Sequence, residues 1–153
     1  MVILFDQFNM PESIYETIFA TEQQAIVAKL LVDYMKHNNS EIGRTEMSLF
    51  ANQLHNGEVI TQIDKAPYAG KKVKLSYNKR QFYDRIVTPL KSMGIIEFDL
   101  YKKTYRLSER FNKLMLEIGL GWLKELRKPP FVVKTVSVDK KAINAAVDEE
   151  LNL

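Results

Sequence analysis

Between Ser76 and Ser108 the chain reads SYNKRQFYDRIVTPLKSMG and then IIEFDLYKKTYRLS, a helical pattern that stops at a glycine and runs straight into two short alternating segments. No other feature constrains the fold as tightly. Phe82, Ile86, Leu90 and Met93 recur at intervals of four, four and three, which is one face of a helix. Ser76 is a good cap for it, with Asn78 as the alternative. Pro89 removes one intrahelical bond, so a kink or loosening is expected around Arg85 to Pro89. Gly94 supplies the left-handed stop. IIEFDL then alternates, Tyr101-Lys-Lys-Thr104 turns, and TYRLS returns as the second strand of a hairpin.

The segments before this run are also helical. Pro11-Glu-Ser begins a helical turn with Asn9 as its cap. Thr21 and Gln24 have capping-box spacing, opening a helix over 22–37 with Val27, Leu30, Leu31, Tyr34 and Met35 on one stripe. Asn38-Asn39-Ser40 ends it. Ile42-Gly43-Arg44 is a connector with at most one strand position. Thr45 caps a second helix carrying Met47, Phe50, Ala51 and Leu54, and Asn56-Gly57 stops it. EVITQID and KKVKL then alternate and are β-branched, which predicts a β-hairpin inserted over 58–75. After the second hairpin, Ser108 starts a fourth helix running to about Arg127, with Phe111, Leu114, Met115, Ile118 and Trp122 on its stripe. Gly119 and Gly121 there would allow another segment to come close. Pro129-Pro130 ends that helix. FVVKTVSV reads as a strand able to pair with VILF at residues 2–5 or with the same segment of a partner chain, and Asp139 caps a short helix through Leu151.

With 153 residues there is room for one compact core plus extensions. The expected organisation is an N-terminal extension over 1–20, a domain over 21–128 and a tail of strand plus short helix over 129–153. No apolar run approaches ~20 residues, so no span of a bilayer is expected. The opening MVILFDQF lacks a basic front and a small-residue cleavage site, unlike a secretory signal. The chain has no cysteine, which removes disulfides and thiolate zinc sites and fits a cytoplasmic protein.

Net charge is only +3, but its placement is uneven. From Lys71 to Arg106 there are ten Lys/Arg against three acids, a balance of +7 that leaves −4 for the remainder. Segregation of this size is what a phosphate-binding face requires, although a solvated basic surface has the same composition.

The order helix, helix, helix, hairpin, helix, centred on FYDRIVTPLKSMGIIEFD, resembles winged-helix regulators of the MarR and PadR type. The positions that carry the likeness are Phe82 or Tyr83, Ile86, Leu90, Gly94, Ile95 and Ile96. It covers roughly residues 21–127 and is one of pattern. The hairpin before the third helix and the short wing depart from it, and the tail after Pro129 has no counterpart. The resemblance implies a mainly α protein with a small β component (α+β), a winged helix-turn-helix with an inserted β-hairpin and a C-terminal extension. It implies a recognition helix over about 77–93 in the major groove of duplex DNA and a wing over about 95–107 on the flanking backbone or minor groove.

The residues themselves suit that chemistry. Tyr77, Asn78, Lys79, Arg80 and Gln81 occupy the N-terminal end of the third helix, with Tyr83, Asp84 and Arg85 one turn later. Asn and Gln can bridge an adenine edge, and Arg can fork onto guanine. Arg80, Tyr83 and Asp84 rank above Gln81 as outward-facing, because Phe82, Ile86 and Leu90 must face the core. Asp84 accepts from cytosine or steadies Arg80 by an i, i+4 pair. Lys102 and Lys103 at the hairpin tip, with Tyr105 and Arg106 behind them, meet the minor groove or its phosphates, and Lys71, Lys72 and Lys74 extend the contact along the backbone. Lysines also occur in such turns for solubility alone. Tyr101 and Tyr105 are read as packing residues.

Enzyme chemistry finds no support. His37 and His55 sit at helix ends without a partner at ligand spacing, and no phosphate loop, nucleophile elbow or paired-carboxylate motif occurs. The expectation is a non-enzyme without metal or cofactor. One helix and one wing give limited specificity, so a two-fold homodimer on a pseudo-palindrome is expected. The fourth helix, with Trp122 and Leu123 near its end, is the candidate interface together with the segment before Thr21, unless Trp122 closes the monomer core. A transcriptional regulator is the first reading, with a protein-docking module or a replication or partition factor as alternatives.

Overall fold

The computed structural model describes residues 6–62, 71–132 and 140–151. Helices dominate, with two small antiparallel sheets. The chain divides into two compact units, Met1–Leu116 and Glu117–Leu153.

In the first unit, α1 (Ile14–Ile18) is capped by Ser13, whose hydroxyl accepts from the Tyr15 N–H at 3.2 Å; Asn9 is not its cap. α2 (Glu22–His37) begins at Thr21, whose hydroxyl accepts from the Gln24 N–H at 3.2 Å. It buries Val27, Ala28, Leu31, Val32 and Met35. Asn39 and Ser40 end it with positive φ, and the Ser40 N–H returns to the Met35 carbonyl at 2.8 Å.

β1 (Glu41–Gly43) is longer than the connector expected there. α3 (Arg44–His55) follows directly and buries Met47, Phe50, Ala51 and Leu54. Its cap differs from the expected Thr45. Gly43 is the N-cap and gives no side-chain bond, while the Arg44 N–H donates across the fold to the Lys103 carbonyl at 3.0 Å. A distant main-chain oxygen thus satisfies a donor that the helix itself leaves open.

The inserted hairpin is present as β2 (Val59–Gln62) and β3 (Lys72–Leu75), paired antiparallel with Val59 opposite Leu75 and Gln62 opposite Lys72. Leu75 enters the core and the side chains of Lys72 and Lys74 stay outside.

The third helical run has three parts: α4 (Lys79–Phe82), a π turn (Tyr83–Val87) and α5 (Thr88–Ser92). Asn78 caps it, its side-chain oxygen accepting from the N–H groups of Arg80 (3.0 Å) and Gln81 (3.2 Å). The loosening expected near Pro89 takes the π form. Proline has no N–H for the Arg85 carbonyl and its ring crowds that carbonyl, so a widened turn relieves both conflicts. Thr88 donates its N–H and its hydroxyl (2.9 Å) to the Tyr83 carbonyl. The extra residue shifts the helix phase. Phe82, Ile86, Val87 and Leu90 are buried, while Met93, expected on the same face, is exposed.

Gly94 then turns the chain at φ +78°. Its N–H returns to Lys91 at 3.1 Å and that of Ile95 to Leu90 at 3.0 Å, the two bonds of a Schellman stop. β4 (Ile96–Asp99) and β5 (Thr104–Leu107) form the second hairpin, and β1 pairs with β5, giving the order β1-β5-β4. The Ser108 N–H reaches the Ile95 carbonyl at 2.9 Å and that of Phe111 the Gly94 carbonyl at 3.3 Å, so the same turn also seats the start of α6 (Arg110–Arg127).

The core joins α2, α3 and the broken helix through stacked Tyr34 and Phe50 (5.1 Å), tilted Phe50 and Phe82 (5.7 Å) and edge-on Phe82 and Tyr83 (5.5 Å). None of α6 is buried, and among the described residues no atom of another segment lies within 4 Å of a Cβ placed at Gly119 or Gly121. Trp122 is 62% exposed and does not close a core. In the second unit, α7 (Lys140–Leu151) forms where the tail helix was expected. The segment VILF and residues 133–138 of the expected C-terminal strand lie outside the described residues, and Phe131 and Val132 have no regular structure.

Gly94→Ala is expected to cost about 1–2 kcal/mol in urea unfolding, the penalty of a side chain in the left-handed region. The nearest atoms to the added methyl are Cγ (3.3 Å), Cβ and Cδ (both 3.4 Å) of Arg110, and a neutral result would place the turn's constraint elsewhere.

Candidate nucleic-acid interface

The inner face of the three-stranded sheet carries Ile42, Ile96, Phe98, Tyr105 and Leu107, of which Ile42 and Ile96 are fully buried. Phe98 and Tyr105 lie 4.7 Å apart across the β4–β5 pair, and Lys91 of α5 holds its ammonium 5.6 Å from the Phe98 ring centre. Tyr105 therefore packs as expected.

Tyr83 links this sheet to the helices. Burial pushes its hydroxyl above the ordinary tyrosine value and nearby Tyr105 adds to that, while a hydrogen bond with Ser48 and the charge of Arg44 act the other way. Tyr83 and Tyr105 both pack against the core, and Tyr83 meets Phe82 edge-on. By the Arg44-to-Lys103 bond, Arg44 and the hairpin tip are brought together across two elements distant in sequence.

The opposite face of the sheet is different. Arg106 on the central strand stands between Glu41 and Glu97 in register. It donates to Glu97 at 2.9 Å, Arg110 lies 3.6 Å from the same carboxylate, and the Thr104 hydroxyl donates to Glu41 at 2.8 Å. With Asp99 this face holds three acids beside Arg106 and Arg110. Arg106 is a partner of Glu97 there.

The other residues singled out by sequence fall into distinct places. Tyr77 is 7% exposed and packs in the core, so it leaves the candidate set. Asn78 uses its side-chain oxygen as the cap. Lys79 is half-buried, its N–H donating to His55 Nδ1 at 3.3 Å. Arg80, Gln81, Asp84 and Arg85 are exposed, and Tyr83 is half-buried, which reverses the ranking of Gln81 and Tyr83. Arg80 and Asp84 form the expected pair at 3.9 Å, a long and solvated contact of little energetic weight. Lys102 and Lys103 are exposed at the hairpin tip, and Lys71, Lys72 and Lys74 stand exposed on the inserted hairpin. Among the described residues, no ion pair engages Arg44, Lys102 or Lys103.

Two cations were missed by the sequence reading, Arg44 and Lys91. Arg44 was read as part of a connector, and only the long-range bond to Lys103 reveals its position. Tyr101 was misread in the other direction: it is 99% exposed and packs against nothing. Both histidines serve helix ends, His37 Nδ1 lying 2.8 Å from the Asp33 carbonyl. Among the described residues no group of three potential metal ligands occurs, and no helix is long and apolar enough to cross a membrane.

The tip is held from within by Asp99, whose carboxylate accepts from the N–H groups of Tyr101 (2.9 Å) and Lys102 (3.2 Å). Those bonds keep Asp99 below its ordinary value of 3.8, and hydrogen bonds from Arg106 and Ser108 keep Glu97 below 4.5. Carboxylates whose values fall on folding stabilise above their unfolded values and lose that contribution as pH drops through the folded ones. Amide protection at Tyr101 and Lys102 is therefore expected to fall on acidification below 3.8, ahead of protection in α2. Simultaneous loss in both would show that these carboxylates do not govern the tip.

Comparison of the chain with protein-family models, with curated proteins and with solved structures finds no match.

Proposed function

We propose that the chain is a winged helix-turn-helix protein that binds duplex DNA, with the broken helix over 79–92 in the major groove and the β4–β5 hairpin as its wing. The observation that carries this reading is the Arg44-to-Lys103 bond, which ties the basic tip of the wing to the start of α3. Arg44, Lys102, Lys103 and Lys91 then offer cations around the wing, while Arg80, Gln81 and Arg85 offer forked and amide groups on an adjoining helix. Phosphate contacts position such a protein and base-edge contacts specify its site. The wing's cations suit the first task and the helix the second. On the outer face of the sheet Glu97 engages both Arg106 and Arg110, which leaves the cations of the tip as the freer phosphate partners.

A homodimer acting as a cytoplasmic transcriptional regulator is the simplest use of this arrangement. In α6, Ile118, Trp122 and Leu126 repeat at helical spacing and all are exposed. A second copy offers the same stripe, as a two-fold interface requires. Trp122→Glu is expected to convert the dimer to monomer in sedimentation while leaving helical content intact; an unchanged mass would remove α6 from the interface.

Gel-shift binding to random duplex should weaken steeply with salt, because each phosphate contact releases counterions. A slope near zero would contradict the reading. Arg80→Ala should relax sequence preference, with a loss of about 1–3 kcal/mol confined to the preferred site. Lys102→Ala with Lys103→Ala should instead weaken all sequences alike and flatten the salt slope. Equal, unselective losses from both would remove Arg80 from base reading.

A further inference from the structure

The wing tip carries a feature that phosphate binding does not need. Leu100 is 77% exposed and Tyr101 is 99% exposed, although the turn has only four residues, Leu100 to Lys103, and such turns favour Gly, Asn, Asp or Ser. We propose that Leu100 and Tyr101 form an apolar wedge that enters the minor groove and opens a base step of bound duplex DNA. The proposal rests on the DNA-binding reading and adds a specific contact to it.

Three observations support it. The tip is preorganised: Asp99 accepts from the Tyr101 and Lys102 N–H groups, Lys103 holds a left-handed φ of 53°, and the Lys103 carbonyl is tied to Arg44. A side chain presented on a fixed backbone loses little entropy when it docks, which favours a contact role over accidental exposure. Next, Lys102 and Lys103 directly follow the apolar pair, with Arg44 at the base of the same turn. That juxtaposition matches a surface where flat apolar rings alternate with phosphates. Finally, the turn is narrow. The minor groove is about 6 Å wide and excludes a helix, yet it admits a hairpin tip, and architectural proteins insert apolar side chains there to unstack bases.

A wedge of this kind favours pyrimidine–purine steps, which unstack most easily, so it contributes sequence preference without hydrogen bonds to bases. It also separates the roles within the tip: Lys102 and Lys103 fix the backbone, while Leu100 and Tyr101 select for deformability.

The test uses the full chain and a duplex of about two helical turns with 2-aminopurine at a central TA step. Binding is expected to raise the probe's fluorescence, the signature of unstacking. Tyr101→Ala should abolish the rise and weaken binding by about tenfold, with an unchanged salt slope because no charge is lost. Tyr101→Phe should behave as the unaltered chain. Lys102→Ala with Lys103→Ala should flatten the slope yet keep the rise at saturation. If the chain binds the duplex but Tyr101→Ala matches it in both readouts, the wedge is overturned and the DNA reading stands. If no duplex is bound, both fall. Should Tyr101→Ala instead lose binding to phosphatidylserine vesicles with DNA binding intact, the tip belongs to a membrane surface and the proposal is wrong.

Discussion

One backbone conformation organises the first unit: the left-handed turn at Gly94. It stops the broken helix, starts β4 in the direction that lets the hairpin fold back, and offers its own carbonyl to the first turn of α6. A helix, a sheet and a further helix all take their relative starting points from residues 93–95. The hairpin then closes the circuit at its far end, where the Lys103 carbonyl replaces the missing side-chain cap of α3. Helix, hairpin and helix are joined at two places, so the tip cannot swing independently of the helices beside it.

Much of this was legible in the sequence, because the signals were local. Thr21 with Gln24 fixed the start of α2, the β-branched alternation around 59–75 gave the inserted hairpin, and Pro89 with Gly94 bracketed a disturbed helix and its end. What escaped depended on partners distant in sequence. Nothing near Arg44 signals that its N–H bonds residue 103, and nothing near Arg106 signals that β1 brings Glu41 opposite it. Helical periodicity likewise assumed a constant 3.6 residues per turn, so the π turn displaced Met93 from the core and admitted Val87. Tyr101 was read as a packing aromatic because aromatics usually pack. A hairpin tip without a neighbour removes that option.

Electrostatics divide the sheet in the same way as topology. Alternation sends Phe98 and Tyr105 inward, where Lys91 and Tyr83 meet them, and sends Glu97 and Arg106 outward to form a closed acid–base network. The positive excess between Lys71 and Arg106 is therefore not spread evenly over the hairpin. Lys71, Lys72 and Lys74 stand on the inserted hairpin, Lys102 and Lys103 at the tip, and Arg80 and Arg85 on the exposed flank of the broken helix, whereas the outer sheet face carries three acids beside Arg106 and Arg110.

The most direct measurement of the central claim is an amide chemical-shift map of the full chain titrated with duplex DNA. The account predicts that Arg44, Arg80 to Arg85 and Tyr101 to Lys103 shift together, with the Glu41, Glu97 and Arg106 face left in place. Shifts confined to that acidic face or to α6, with the Lys102 and Lys103 amides unmoved at saturation, would contradict it.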